Sequence, residues 1–349
     1  MRLAPGWLNT GWLNTGWLVM MIFELVGISS VQDLGRPGYQ SQGIGESGAM
    51  DRLALRVANS LLANDENTGA IEITFGHVRM RTRNAQWFAL TGADLSASLD
   101  GQVFPLCQPV FVPADSVIEF NKPLRGCRAY LAVQGGFAIL PVLGSVATDV
   151  RSGLGGLHGT LLKKNDSVAF KQPAQHVGRQ IHWHTHYANP GFARTDPLRL
   201  IPDRLWHELS GQERQGFLSR QWHIAPESDR MGMRLAESLP HDLPGALPNK
   251  PPGGAMLSSA VAFGSVQLPP DNRPIILAAD RQTTGGYPLL GTLASISHSS
   301  LAQLKPGDAV RFELIELAEA QAEWRQHELS FRQWQTHIRN WWHDAPADG

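Results

Sequence analysis

The sequence predicts a mainly β fold in which two similar modules follow one another, with few helices. Short runs rich in aliphatic, aromatic and β-branched residues succeed each other from residue 70 to residue 133, separated by turn signals. Only one convincing amphipathic helix interrupts the first half. The outline then recurs: the turn Lys163–Asp166 leads into the strand Ser167–Phe170, much as Lys305-Pro306-Gly307-Asp308 leads into Val310–Ile315. At 349 residues the chain is long enough for two such modules with proper cores. Barrel and sandwich architectures both suit many short strands at regular spacing.

In chain order, Gly6–Thr10 and Gly11–Thr15 repeat the pentapeptide GWLNT, and Gly16–Leu18 begins a third copy. A five-residue period matches neither helix nor strand, so residues 1–20 read as an extension, a translation-start artefact or a repeat expansion. Met21–Gly27 is the first strand. Val31–Asp51 follows, with five glycines and few large apolar residues, a loop composition that favours function over packing. Asp51 caps a helix to about Ala63, with Leu53, Val57 and Leu61 on one face. Strands are expected at Ala70–Thr74, Val78–Arg81, Gln86–Thr91, Leu95–Leu99, Pro109–Val112, Val117–Phe120 and Arg128–Val133. Asp100-Gly101, Pro113-Ala114-Asp115 and Lys122-Pro123 mark turns between them.

Gln172–Pro197, with three prolines and weak periodicity, reads as a boundary, dividing the chain into modules 21–190 and 191–316 and a tail 317–349. His182, His184 and His186 alternate there, which on a strand would put three imidazoles on one face. Without a carboxylate or cysteine nearby, a solvated linker is the better reading, and no metal site is expected. The second module has strands at Leu198–Ile201, Trp222–Ala225, Ser265–Leu268, Pro274–Ala279 and Thr292–Ile296. Arg204–Leu218 reads as a helix, His241–Gly254 as a loop and Ser299–Leu304 as a helical turn. In the tail, Leu317, Trp324, Phe331 and Ile338 recur every seven positions, with Trp334 and Trp341 beside them. That is an amphipathic helix, expected to fold back on the β modules rather than form a coiled coil.

Composition excludes several functions. A formal net charge of −1 gives no nucleic-acid surface. No apolar run is long enough to span a membrane. Two cysteines, Cys107 and Cys127, in strand-like contexts read as buried thiols, which suits the cytoplasm. No Walker A sequence, nucleophile elbow or biotinyl-lysine Met-Lys-Met occurs, so any nucleotide needs another type of site and this chain carries no covalent biotin.

The candidate chemistry lies in polar, glycine-bearing segments. Ala278–Pro288, AADRQTTGGYP, follows a buried-looking strand: Asp280 and Arg281 place opposite charges at its end, Thr283 and Thr284 add hydroxyls, and Gly285-Gly286 lets the backbone approach a ligand before Tyr287. Such a loop suits an anion or a polarised carbonyl. Asp33 and Arg36 lie in Val31–Asp51, Arg151 in Leu143–Gly156, and Asp229 and Arg230 in Glu227–Gly232. The ordinary alternative for each Arg-Asp pair is a salt bridge that ties down its loop.

These segments, with Tyr130–Gly136, YLAVQGG, and the AQLKPGDAVRF run ending at Phe312, resemble the family of allophanate hydrolase subunit 2-like proteins, which takes in a bacterial 5-oxoprolinase subunit and the carboxyltransferase part of urea carboxylase. The resemblance covers roughly residues 22 to 315. It implies two cyclophilin-like β-barrel modules working with an allophanate hydrolase subunit 1-like protein and a further 5-oxoprolinase subunit. The reaction it implies is ATP-dependent opening of the lactam of 5-oxoproline to glutamate, with Mg2+ accompanying ATP at a site shared between subunits and this chain inactive alone. Phosphorylating the lactam oxygen makes the amide carbon attackable, and that route needs cationic donors. Arg281, Asp280, Arg230 and Asp229 are then the catalytic candidates. Asp33, Arg36, Arg151, Thr283, Thr284, Gly285, Gly286 and Tyr287 would bind substrate or nucleotide. A regulatory protein-binding module, or a carboxyltransferase for urea-like substrates with a separate biotin carrier, is the alternative within the same resemblance. Some turns depart from the family pattern: Pro202-Asp203-Arg204 replaces a Gly-Pro-Gln type, Gly159-Thr160 a Gly-Arg, Asn165-Asp166 a Gly-Asp and Gly76-His77 a Gly-Pro.

Overall fold

The computed structural model describes residues 20–175, 197–237 and 258–344. The pentapeptide repeats, the alternating histidines and the loop expected at 241–254 lie outside the described residues.

In the first half, β1 (Met20–Leu25) and β2 (Ile28–Gln32) precede α1 (Arg52–Leu61), followed by β3 (Ala70–Thr74), β4 (Val78–Thr82), β5 (Gln86–Asp94), β6 (Ser98–Leu99), β7 (Gln102–Val103), β8 (Pro109–Val112), β9 (Val117–Phe120), β10 (Arg125–Val133) and β11 (Ser167–Ala169). They form a six-stranded sheet, β11-β1-β4-β9-β6-β7, and a five-stranded one, β2-β3-β10-β5-β8, both antiparallel. Phe23, Met80 and Ile118 of the first meet Ile73, Phe88 and Leu131 of the second in one core. The other face of the five-stranded sheet is also covered. Alternate residues Trp87, Ala89, Tyr130 and Ala132 turn to α1, so β5 and β10 are apolar on both faces and read as continuous hydrophobic runs.

After the undescribed stretch come β12 (Leu198–Pro202), α2 (Arg204–Glu208), α3 (Gly211–Ser219), β13 (Trp222–His223), β14 (Gly232–Arg234), β15 (Ser259–Ala260), β16 (Ser265–Gln267), β17 (Ile275–Leu277), β18 (Thr284–Gly285), β19 (Leu289–Leu293), α4 (His298–Ala302), β20 (Ala309–Val310) and β21 (Phe312–Leu314). The third sheet runs β14-β17-β16-β19-β12-β21, with β12 and β21 parallel, and β13-β20 and β15-β18 form two small ribbons. Its core gathers Leu200, Trp206, Phe217, Trp222, Val266 and Leu293, and takes in Met50 from the first half.

Helix α5 (Leu317–His343) folds back along α1. Phe331, Ile338 and Trp342 are buried there, Trp342 lies edge-on to Trp87 at 5.6 Å, and its Nε1 donates to the carbonyl of Leu61 at 2.9 Å. The heptad seam is buried only in its second half: Leu317 is exposed and Trp324 half-buried.

Three local expectations need correction. The helix expected over 204–218 is two helices, because Leu209 is extended and Ser210 starts a new one with a reciprocal capping box to Glu213. The strand expected at 95–99 shrinks to its last two residues, because β5 runs on to Asp94 and Ser96 turns the chain at φ 47°. The strand expected at 292–296 lies at Leu289–Leu293, and a 3-10 turn occupies Ser295–Ser297. Among the described residues no helix is long and apolar enough to cross a membrane.

Candidate functional site

The polar segments converge where the two halves meet. Asp33, at the end of β2, is 2% exposed and accepts from the amide of Gly35 at 2.8 Å, Ser145 Oγ at 2.7 Å and the amide of Val146 at 2.7 Å. One carboxylate therefore ties the loop 31–51 to the loop 143–156. Arg36, 1% exposed, enters the same junction, where Nη2 donates to the carbonyl of Ala147. Among the described residues its Nε and Nη1 have no hydrogen-bond partner and no carboxylate lies within ion-pair distance of it. Arginine cannot shed its charge, so such a head has donors left for an anion. Gly155 closes over it. A Cβ there, at φ +66°, would fall 2.0 Å from the carbonyl oxygen of Ala147 and 2.8 Å from Arg36 Nη2, so only glycine fits.

Arg230 is the hub between the halves. Its Nε and Nη2 hold Asp280 at 2.8 and 2.9 Å, Nη1 donates to Glu72 Oε1 at 2.5 Å, and Nη2 also reaches the carbonyl of Gly48 at 2.6 Å. Asp280 comes from the second half with Arg230, whereas Glu72 on β3 and Gly48 belong to the first. Ser47 Oγ lies 2.8 Å from Asp280 Oδ1 and 3.2 Å from the carbonyl of Thr148, which brings the loops together on one carboxylate.

Behind the hub, Glu72 Oε2 accepts from Tyr130 OH at 2.7 Å and from the amide of Met50 at 3.0 Å. The phenol accepts in turn from the amide of Asp51 at 2.7 Å. Asp51 caps α1 through Ala54 and takes Ser299 Oγ at 2.9 Å and Gln303 Nε2 at 2.8 Å from the second half. Burial pushes the Glu72 carboxyl up, but Arg230 and Arg128 outweigh it and hold the group below the usual carboxylate range. Asp51 has no such cation, so burial raises its carboxyl despite three hydrogen bonds. Burial lowers Arg230, and the charges of Glu72 and Asp280 more than reverse that, raising it.

Arg281, 8% exposed, forms a separate pair. Its Nη2 meets Glu46 Oε2 at 2.8 Å, and Arg52 approaches the same carboxylate at 3.4 Å. Burial raises the Glu46 carboxyl, and the two arginines bring it below its ordinary value.

The structure thus brings Asp33, Arg36, Arg230, Asp280 and Arg281 to one junction. The others stand differently. Asp229 accepts from the amides of Met231 and Gly232, closing its own turn, and the exposed Arg151 contacts the sulfur of Met231 at 3.4 Å. Thr284 and Gly285 pair with Ser259 and Ala260, the carbonyl of Thr283 accepts from Val261, and Tyr287 is 44% exposed. Among the described residues the side chains of Thr283, Thr284 and Tyr287 make no hydrogen bond to the hub. Gly285 packs where a Cβ would meet Gln267 Nε2 at 2.2 Å, while Gly286 has open space with only Ser258 Oγ at 3.7 Å.

Sequence reasoning missed Glu46, Ser47, Asp51 in its bridging role, Glu72, Tyr130 and Gln303. Glu72 offered a signal, as a carboxylate inside the otherwise apolar strand AIEIT. Chemically, the junction pairs a fixed cation-carboxylate network with the buried Arg36 guanidinium, two of whose nitrogens find no acceptor among the described residues. Among the described residues no group of three or more His, Cys, Asp or Glu could hold a metal ion.

Comparison with known proteins places this architecture. The chain is 34% identical over 320 residues to the C subunit of 5-oxoprolinase from Escherichia coli (strain K12), covering 89% of this chain and 97% of that protein. It is also 34% identical over 314 residues to the C subunit of 5-oxoprolinase from Haemophilus influenzae, covering 88% and 95%. The solved urea carboxylase of Kluyveromyces lactis superposes with a TM-score of 0.77 at 22% identity, over 94% of this chain and 30% of that one, which is a likeness of fold. Residues 42–314 match the model of the carboxyltransferase domain, subdomains A and B, a span that takes in Glu46, Glu72, Arg230, Asp280 and Arg281, and the chain belongs to that family.

Proposed function

We propose that this chain is the C subunit of an ATP-dependent 5-oxoprolinase, opening the lactam of 5-oxo-L-proline to L-glutamate with its partner subunits. The observation that carries the reading is the likeness to two proteins of that name over nearly the whole of both chains. The junction offers suitable chemistry. A lactam is a poor electrophile, and ATP supplies the phosphoryl group that activates its oxygen. On this chain, Arg36 holds the substrate carboxylate or a phosphate with its two unpartnered nitrogens. Arg281 supplies a second cation at the loop after β17. Asp280 is the acid/base candidate, and Arg230 fixes its orientation through two hydrogen bonds. Asp229, occupied with its own turn, shapes the loop.

The same reading makes the chain inactive without an allophanate hydrolase subunit 1-like protein and a further 5-oxoprolinase subunit, which would share the ATP and Mg2+ site. Its two cysteines, Cys107 and Cys127, are buried and form no disulfide among the described residues, which suits work in the cytoplasm. The test is glutamate release from 5-oxo-L-proline and ATP by the mixed subunits. Arg36→Gln and Arg281→Ala are each expected to lower kcat/KM roughly ten- to hundredfold in complexes that still assemble, the scale of a lost charge-assisted hydrogen bond. No glutamate from any mixture of subunits that forms a stable complex would reject the reading.

A further inference from the structure

Where α1, the turn Ser295–Ser297 and α5 meet, the structure forms a half-open cavity of about 530 Å3. That volume lies in the range of small-molecule sites, roughly 300–1,000 Å3. It stands apart from the Arg230 hub, none of whose side chains lines it, and α5 forms one wall although the carboxyltransferase match ends at residue 314. Leu53, Ile296 and Trp324 give it an apolar body.

Its charge is unbalanced in one direction. Arg56 is held between Glu66 at 2.8 Å and Glu328 at 2.5 Å, so both lining carboxylates are already engaged. Arg52 and Arg332 remain, and the lining histidines add no charge at neutral pH, since burial depresses both His298 and His327. Arg52 carries the sharper signal. Among the described residues its Nε donates no hydrogen bond, while Nη2 pairs at 3.4 Å with Glu46, a carboxylate that sits closer to Arg281, and the side chain is 38% exposed. A long ion pair shared in this way leaves Arg52 donor capacity that an anionic ligand can take up.

We propose that this cavity binds a nucleotide-sized organic anion, with its phosphate or carboxylate on Arg52 and its body against Leu53 and Trp324. Because Arg52 and Arg281 share Glu46, an anion on Arg52 leaves that carboxylate to Arg281, which connects the cavity to the loop after β17. Arg332, exposed on α5, meets the outer end of an elongated ligand.

Titration calorimetry of the full chain with ATP, AMP and 5-oxo-L-proline tests this, the first two presenting phosphate and the third a carboxylate. At least one probe is expected to bind saturably. Leu53→Trp, which fills the cavity, and Arg52→Gln, which removes the charge, are each expected to weaken that binding roughly ten- to hundredfold. Quenching of Trp324 fluorescence, identified as the signal lost in Trp324→Phe, gives the same titration at the cavity itself. Should Leu53→Trp fail to fold, Arg52→Gln and the quenching decide. Saturable heat from none of the probes up to ~10 mM, the limit of a useful site, would overturn the proposal. So would binding of undiminished strength in the folded variants. The calorimetry needs neither the partner proteins nor turnover, so its outcome is distinct from that of the glutamate assay.

Discussion

Replacing Arg230 by methionine keeps a long side chain and deletes the cation that Glu72, Asp280 and the Gly48 carbonyl share. Glu72, 2% exposed, would keep Tyr130 and the Met50 amide as donors but lose its directly bonded cation, with only Arg128 acting on it at longer range. Removing one partner of a buried ion pair costs about 3–5 kcal/mol, mostly the penalty of the charge left behind. Taking roughly 280 described residues, each contributing about 2.1 cal/mol/K to the unfolding entropy, that corresponds to a fall in Tm of about 5–8 °C. Scanning calorimetry of the full chain measures it. Adding Glu72→Gln, which leaves no charge to strand, should return part of the loss, so that the double variant is more stable than the sum of the singles by about 2 kcal/mol. A fall in Tm of less than about 2 °C for Arg230→Met, or strict additivity in the cycle, would refute the assignment of Arg230 as the tie between the halves.

Other expectations follow from the same geometry. Burial pushes His298 down to about 4, with Arg52 and Arg281 adding to it and the Leu293 carbonyl opposing. The unfolded chain therefore takes up a proton near pH 6.5 that the folded one resists, so stability is full above that pH and falls towards pH 4, by roughly 2 kcal/mol at pH 5. Urea melts at pH 5 and 7.5 should show this slope reduced in His298→Gln, and an unchanged slope would contradict it. Phe331→Ala removes a fully buried ring that also lies 4.3 Å beneath the Arg56 guanidinium, at about 3–5 kcal/mol. Deuterium exchange is expected to rise along α5 and the facing side of α1, and unchanged protection there would refute that packing. Gly155→Ala must displace the carbonyl of Ala147, which its Cβ would meet at 2.0 Å, and is expected to weaken the same reaction as Arg36→Gln, whereas full activity would show that the loop tolerates the shift.

The β content, the order of strands and the helix after Asp51 were legible because each depends on local periodicity or a cap. So was the folding back of the tail, since Phe331 and Ile338 lie on one stripe. Ser210-Gly211-Gln212-Glu213 was a readable stop within the helix expected over 204–218, overlooked because apolar spacing continues across it. For the site, arginines and aspartates beside glycine could be found in the sequence, but their pairing could not. Asp33 and Asp280 each stand near an arginine in sequence, yet Asp33 binds Ser145 and two amides while Asp280 holds Arg230, 50 residues away. Glu72 and Tyr130 were hidden for another reason. Single polar residues in buried strands leave the alternation pattern intact, and only the opposing half of the chain reveals what they face.

Helix α5 also has a consequence in time. The ring of Trp87, the carbonyl of Leu61 and the outer face of α1 belong to the first half, yet Phe331, Ile338 and Trp342, which cover them, are made only after the second half. During synthesis the first half can pair its sheets and close the core around Phe88 while one side of the five-stranded sheet is still missing part of its cover. That apolar face waits for α5 to emerge from the ribosome, so the first half keeps an uncovered side until the second half has been made.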